Sequence, residues 1–256
     1  MAADAVALAI ADHVATIRLN RPEVRNAIDL ATAQQLERAL DQCEADSAVR
    51  AIVLSGTDRF FSAGMDLKAV NATGERPITA SRGAFGIVEK PPGKPLVAAI
   101  EGYALGGGLE IALAADLIVA AADARLGLPE VKRGLVASAG GAIRLPRRVP
   151  FAAAMELILT GEPITAHKAL ELGLINRVAA PGNAMAEAID IARVIAANAP
   201  MAVRAAKAIV LDSADWTAAD AFREQRRYSD PVRASRDARE GASAFVEKRQ
   251  PHWTDT

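Results

Sequence analysis

The residues of this chain best suited to chemistry are two glutamates, Glu110 and Glu130, and the bends of small residues that accompany them. Glu110 closes the segment Gly102-Tyr103-Ala104-Leu105-Gly106-Gly107-Gly108-Leu109-Glu110. Three adjacent glycines let the backbone come close to a ligand and turn bare N–H groups toward it. An apolar run, Pro95-Leu96-Val97-Ala98-Ala99-Ile100, leads in, and the Ala-rich run Ile111-Ala112-Leu113-Ala114-Ala115 leads out. The expected structure is a buried strand, a glycine turn and a buried helix. Donors at a helix N-terminus favour negative charge, and Glu110 falls on the first turn of that helix. One short segment thus offers an oxyanion donor beside a carboxylate. It is not a phosphate grip, because no Lys-Ser or Lys-Thr follows the glycines and their spacing misses G-x-G-x-x-G.

Two further bends follow the same plan. Phe60-Phe61-Ser62-Ala63-Gly64-Met65-Asp66-Leu67-Lys68 comes after the apolar run Ala51-Ile52-Val53-Leu54. Leu126-Gly127-Leu128-Pro129-Glu130 comes after Asp116-Leu117-Ile118-Val119-Ala120 and a short connection. To these add Asn20-Arg21-Pro22-Glu23-Val24-Arg25-Asn26-Ala27 near the start and Glu240-Gly241-Ala242-Ser243-Ala244-Phe245-Val246-Glu247-Lys248-Arg249 near the end. In this order the motifs resemble the crotonase (enoyl-CoA hydratase/isomerase) family over essentially the whole chain.

The resemblance implies an α/β fold: a crotonase-like spiral of stacked ββα units with an α-helical C-terminal trimerisation region. It also implies a homotrimer, or a hexamer built as a dimer of trimers. The backbone N–H groups of Met65 and Gly107 would form an oxyanion hole for the carbonyl oxygen of an acyl-CoA thioester, with the Met65 thioether shaping the acyl pocket. A donor fixed where charge develops is worth about a hundred- to a thousandfold in rate. Glu110 and Glu130 match the two acids of enoyl-CoA hydratases. Adding water across an α,β-double bond needs a base for the water and an acid for the α-carbon, and two carboxylates holding one water can supply both. The roles implied are Glu110 for the water and Glu130 for the α-carbon proton. The CoA is expected against the backbone of Ala63, Met65, Asp66, Leu67 and Lys68 and near Asn26 and Ala27. Arg25 and Lys68 match phosphate contacts, and Phe245 and Lys248 match positions that close over the CoA of a neighbouring subunit. Coenzyme A is then part of the substrate, and neither a separate cofactor nor a metal is expected. One segment departs from the common pattern. Val136-Ala137-Ser138-Ala139-Gly140-Gly141-Ala142-Ile143-Arg144 stands where many hydratases have Pro-Gly-Ala-Gly-Gly-Thr-Gln-Arg. With the closing Lys248-Arg249-Gln250-Pro251-His252-Trp253, this is closer to the carnitinyl-CoA dehydratase branch. Chain length, branching and hydroxylation of the acyl group stay open.

The elements that must position these bends are partly readable. Residues 14–19 read as an early strand. Asp29 can cap a helix through about residue 44, with Leu30, Leu36, Leu40 and Cys43 near one face. Residues 50–55 form the next strand. Residues 71–94 are irregular and hold Gly74, Pro77, Gly83, Gly86, Pro91, Pro92 and Gly93; long loops of this kind usually carry function, and this one is expected to help shape the acyl pocket. Helices are expected at 151–159 and 166–172, the second capped by Thr165 and stopped by Gly173, with a short strand at 174–178. From Ala184 onward the chain reads as helical, broken at Pro200, around 212–215 and near Pro231. Strands alternating with helices, then helices alone, predict an α/β core over 1–199 and a helical region over 200–256. That region is too small to hold a core alone and must pack on the main body, a neighbouring copy, or both.

Composition excludes several classes. Of 256 residues, 51% are apolar, and 30 basic against 31 acidic residues leave a net charge of −1. No single-sign field points to nucleic acid or a membrane surface. The arginines of 144–148 and 223–227 read as solvated faces or phosphate contacts. A single cysteine, Cys43, forbids an internal disulfide, suits a reducing compartment such as the cytoplasm, and reads as a buried thiol. His13, His167 and His252 are far apart and lack ligand spacing. The N-terminus shows no leader pattern, and no apolar run is long enough to span a bilayer. Three other functions compete. Ser138 could serve a hydrolase, but no G-x-S-x-G elbow surrounds it. A non-turnover module binding acyl-CoA or RNA would not need both glutamates. An isomerase or another crotonase reaction remains the nearest alternative to a hydratase.

Overall fold

A computed structural model describes residues 4–57 and 59–256; residues 1–3, at the terminus read for a leader, and Asp58 lie outside the described residues. The chain opens with a hairpin, β1 (Val6–Ala11) and β2 (Val14–Leu19), paired from Val6↔Leu19 to Ala11↔Val14. Only β2 was expected. The turn between them is Asp12-His13, with φ of 50° and 65°. That left-handed pair matches the twist of the strands, but without Asn-Gly it carries no sequence signal. Next comes α1 (Leu30–Ala45), where Asp29 accepts the Thr32 N–H at 2.8 Å and Leu36, Leu40 and Cys43 are buried.

Three strand–strand–helix units follow. The first is β3 (Ala51–Ser55), β4 (Phe60–Ser62) and α2 (Leu67–Thr73). After a small ladder, β5 (Ile78–Thr79) and β6 (Gly83–Ala84), the second is β7 (Leu96–Ile100), β8 (Tyr103–Leu105) and α3 (Gly107–Leu113). The third is β9 (Leu117–Ala121), β10 (Arg125–Gly127), a 3-10 turn at Pro129–Arg133 and α4 (Gly141–Arg144). Then come α5 (Phe151–Thr160), β11 (Ile164–Thr165), α6 (Ala166–Glu171), β12 (Arg177–Ala179), α7 (Ala184–Ala196), α8 (Pro200–Asp212), α9 (Ala221–Ala234) and α10 (Arg236–Glu247).

The five longer strands and the three-residue β12 make a six-stranded sheet in the order β1-β2-β3-β7-β9-β12, and four short strands make a second sheet in the order β11-β10-β8-β4. Every residue of β3 and β7 is buried, as unalternating apolar runs are in parallel sheets covered on both faces; α7 packs across β3, β7 and β9. In the second sheet β4, β8 and β10 are parallel, with Ser62 opposite Ala104 and Gly127 opposite Leu105. The three strands therefore end side by side. The three bends depart from one edge, which is why residues far apart in sequence share a site.

Several expectations change. Each bend is not one strand passing into a helix: a second three-residue strand intervenes, too short to show a period. The strand expected at 174–178 lies at Arg177–Ala179. Leu174 and Ile175 are buried in the bend before it, with the Leu174 N–H on the Ala169 carbonyl at 2.8 Å. The helix does not break at Pro231, which sits inside α9. Pro231 and Arg227 are exposed, so water can serve the carbonyl that the proline leaves free. The break falls at Ser235, whose hydroxyl accepts the Ala238 N–H at 2.9 Å and starts α10. Residues 250–256 are not helical; they fold back, with the Trp253 indole N–H on the Ala197 carbonyl at 2.7 Å and the buried Asp237 accepting the N–H groups of Thr254 and Asp255. Among the described residues, no single helix is long and apolar enough to cross a membrane.

Candidate active site

The three bends meet at a cavity of 540 Å³ whose walls include Ala63, Met65, Gly107, Glu110 and Glu130, a size usual for small-molecule sites. The first bend is pinned from behind. Ile28 donates to the Gly64 carbonyl at 2.8 Å and accepts the Asp66 N–H at 2.9 Å. In extended backbone, alternate residues point their polar groups to opposite sides, so the Met65 N–H faces away from Ile28. It donates to no acceptor among the described residues. The second bend offers the Gly107 N–H, which opens α3 and has no carbonyl one turn back to accept it. The two bends touch. A Cβ on Gly64 would lie 2.7 Å from the Gly107 nitrogen, and one on Gly107 would lie 3.1 Å from the Gly64 Cα and 2.3 Å from Cζ of Phe85. Only glycine at both positions lets the two unpaired N–H groups stand together with the Phe85 ring over them.

The carboxylates lie against other glycines. Glu110, 3% exposed, accepts the Gly141 N–H at 2.9 Å. Burial pushes its carboxyl up to about 7; the Glu130 charge adds to this, and the Gly141 N–H opposes it. The Glu130 carboxylate lies against Gly106, 3.2 Å from where a Cβ would stand. Its carboxyl is also raised, again by burial, against a main-chain hydrogen bond and the nearby Arg133 charge. Glu130 Oε2 is buried and has no hydrogen-bond partner. An acceptor left in that state costs about 1–3 kcal/mol, and it is the one buried side-chain polar atom so placed among the described residues.

Of the other expected site residues, Arg25 and Leu67 line the cavity, Arg25 with its guanidinium 5.7 Å from the Phe60 ring centroid. Ala27, Asp66, Lys68, Phe245 and Lys248 do not line it. Ala27 is buried and its carbonyl accepts from Arg21 at 2.6 Å. Asp66 is buried, caps α2 through the Ala69 N–H and pairs with Arg21 at 3.3 Å, so its carboxylate serves the fold. Lys68 is exposed on α2, and Phe245 and Lys248 are exposed at the end of α10. Asn26 holds the bend in place: fully buried, its side-chain N–H groups reach the carbonyls of Phe60 and Phe61 at 2.7 and 3.2 Å.

Two arginines read as solvated or phosphate-binding point inward instead. Arg144 donates to the Val88 carbonyl at 2.6 Å, and Arg148 to the carbonyls of Leu113 and Ala115. The cluster at 223–227 is exposed and paired locally with Asp220 and Glu224. Cys43 is buried, and desolvation pushes its thiol up to about 11. Among the described residues no group of three His, Cys, Asp or Glu is placed to hold a metal. The wall also contains Arg76, Pro77, Ile78, Ala84, Phe85 and Glu89 from the irregular loop, and Arg133, Leu135, Val136, Ser138 and Ala139 after Glu130. Of these, the loop's proline and glycine content and the departing segment at 136–144 gave a signal, whereas Arg133 and Leu135 gave none.

Comparison with known proteins extends over the whole fold. The family model described as enoyl-CoA hydratase/isomerase matches residues 9–256. The carnitinyl-CoA dehydratase of Salmonella arizonae is 40% identical over 245 residues, covering 93% of each protein. The crystal structure of an enoyl-CoA hydratase from Mycobacterium tuberculosis superposes with a TM-score of 0.96 at 50% identity, covering 98% of this chain and 99% of that one. An enoyl-CoA hydratase from Mycobacterium marinum gives 0.96 at 48%, with the same coverage.

Proposed function

Since the chain belongs to the enoyl-CoA hydratase/isomerase family, we propose that it adds water reversibly across the α,β-double bond of an enoyl-CoA thioester. It is a carbon–oxygen lyase of the hydratase/dehydratase type. The observation that carries the site assignment is the buried, partnerless Oε2 of Glu130 on the same cavity as Glu110. The O–H of a bound water completes that acceptor. The thioester oxygen sits between the N–H groups of Met65 and Gly107, which stabilise the enolate-like charge that grows there. Glu110, ionised in part near neutral pH, takes a proton as the water oxygen bonds to the β-carbon. Glu130, protonated, hands its proton to the α-carbon and regains one from Glu110, so overall one water O–H bond and the C=C π bond break as one C–O and one C–H bond form. Coenzyme A enters as part of the substrate, Arg25 meets its phosphates, and no resident cofactor takes part. With a lone buried cysteine, the protein works in a reducing compartment, the cytoplasm.

A panel of acyl-CoAs tests this. Loss of the enoyl-thioester absorbance with a mass gain of one water is the expected result. A product of unchanged mass with a moved double bond would make the chain an isomerase. Relatives include a carnitinyl-CoA dehydratase, so the panel includes β-hydroxyacyl-CoAs assayed for loss of water.

The region 200–256 supports a second part of the proposal, a homotrimer or a dimer of trimers. Phe222 is 74% and Phe245 85% exposed, and Val210, Leu211 and Val246 are exposed with them. Covering them against a second copy removes apolar area from water at about 25 cal/mol per Å² and brings Phe245 and Lys248 to a neighbouring CoA. Light scattering at micromolar protein gives the mass of three or six chains; a stable monomer of full activity rules the assembly out.

A further inference from the structure

We propose that Glu89 is a specificity-determining residue whose carboxylate selects acyl groups carrying a positive charge beyond the reacting double bond. The proposal rests on the acyl-CoA reading above. Glu89 lies on the cavity wall, on the same loop as Phe85, whose ring stands over Gly107; this places it on the side of the acyl group. Its backbone is clamped. The Glu89 N–H donates to the Arg82 carbonyl at 3.0 Å, the Val88 carbonyl accepts from Arg144 at 2.6 Å, and the Lys90 carbonyl accepts from Arg82 at 2.7 Å. Arg82 is itself buried and paired with Asp41 at 2.8 Å.

The side chain folds over Gly83. It is exposed, and a Cβ at residue 83 would lie 2.2 Å from the Glu89 Cδ, so the glycine leaves the carboxylate this path along the wall. Among the described residues, the carboxylate makes no ion pair within 4.0 Å and accepts no hydrogen bond. Arg76 and Arg133 line the same cavity without reaching it. Its neighbours on the wall include the apolar Pro77, Ile78, Ala84 and Phe85. An alkyl chain entering there strips water from the anion and returns nothing, whereas a cationic group replaces the lost water with a charge partner. The same carboxylate thus disfavours one ligand and favours the other, which is how specificity is built from a single group.

The test uses two saturated acyl-CoAs that cannot react: one ending in trimethylammonium, the other in the neutral tert-butyl group of the same shape. Isothermal titration of the wild-type protein is expected to show about tenfold tighter binding of the cationic ligand, the scale of one charge contact on a partly solvated wall. Glu89→Gln removes the preference, weakening the cationic ligand and tightening the neutral one, and Glu89→Lys inverts it. The circular dichroism spectrum and melting temperature of Glu89→Gln stay at their wild-type values, which shows that the variant folds. Equal wild-type affinities overturn the proposal, as does a variant that weakens both ligands alike; both outcomes leave the acyl-CoA reading standing. If neither ligand binds, that reading falls and the proposal with it.

Discussion

Exchanging Glu110 for Gln lowers enoyl-CoA hydration at least about a hundredfold, and Glu130→Gln does the same, because the amide keeps the shape but cannot cycle a proton. Affinity for a saturated acyl-CoA stays within a few fold, since the amide oxygen at 110 can still accept the Gly141 N–H. The Glu110 variant has a second, independent signature. In the folded chain burial raises this carboxyl from 4.5 to about 7. Above about pH 7 the native state therefore holds a charge that the unfolded chain carries at no cost. Below pH 4.5 both states are protonated and the penalty is gone. Glu110→Gln accordingly melts several degrees higher than wild type at pH 8, and the difference shrinks to nothing as the pH falls toward 4.5. Activity within threefold of wild type would remove Glu110 from the mechanism, and equal melting at pH 8 would contradict the desolvated carboxylate.

Gly64→Ala is expected to cost at least about a hundredfold in turnover, the value of one oxyanion donor, together with stability. The added methyl would stand 2.7 Å from the Gly107 nitrogen and 3.0 Å from its Cα, at a φ of +84°. The second bend cannot retreat: the Gly106 N–H is bonded to the Gly127 carbonyl at 2.9 Å, and the Phe85 ring lies on Gly107. The clash must separate the Met65 and Gly107 donors. Gly182→Ala is the control. It has a similar φ of +83° and nothing within 4 Å, so it bears only the backbone strain of about 1 kcal/mol and leaves kcat alone. Steady-state kinetics on both soluble variants decides the matter; wild-type kcat for Gly64→Ala would break the pairing of the two donors.

What was legible in the sequence follows from where its information is local. The apolar runs of β3, β7 and β9, the Asp29 cap and the glycines before Glu110 are short-range patterns, and all are found where expected. The strands β4, β8 and β10 span three residues each, and no periodicity fits in three. Arg144 and Arg148 misled because charge suggests solvent, yet here guanidinium groups satisfy carbonyls of remote segments. Leu174 and Ile175 misled because apolar residues fill a bend as well as a strand. The cavity walls at Arg76, Glu89 and Arg133 depend on the path of irregular loops, which composition does not fix. The glutamates were readable as a pair only through the family pattern; what the fold adds is that Glu130 lies against Gly106 while Glu110 binds Gly141.

The parallel alignment of β4, β8 and β10 has a kinetic side. Ser62 must find Ala104, and Leu105 must find Gly127, before the bends share an edge. Closing the larger of these loops fixes a flexible connection for little immediate return, and parallel pairing of this kind is slow to form. Catalytic competence in this chain is therefore a property of long-range order. During refolding, helices and the β1–β2 hairpin can form from nearby residues while the N–H groups of Met65 and Gly107 are still apart. Enzymatic activity should be among the last signals to return.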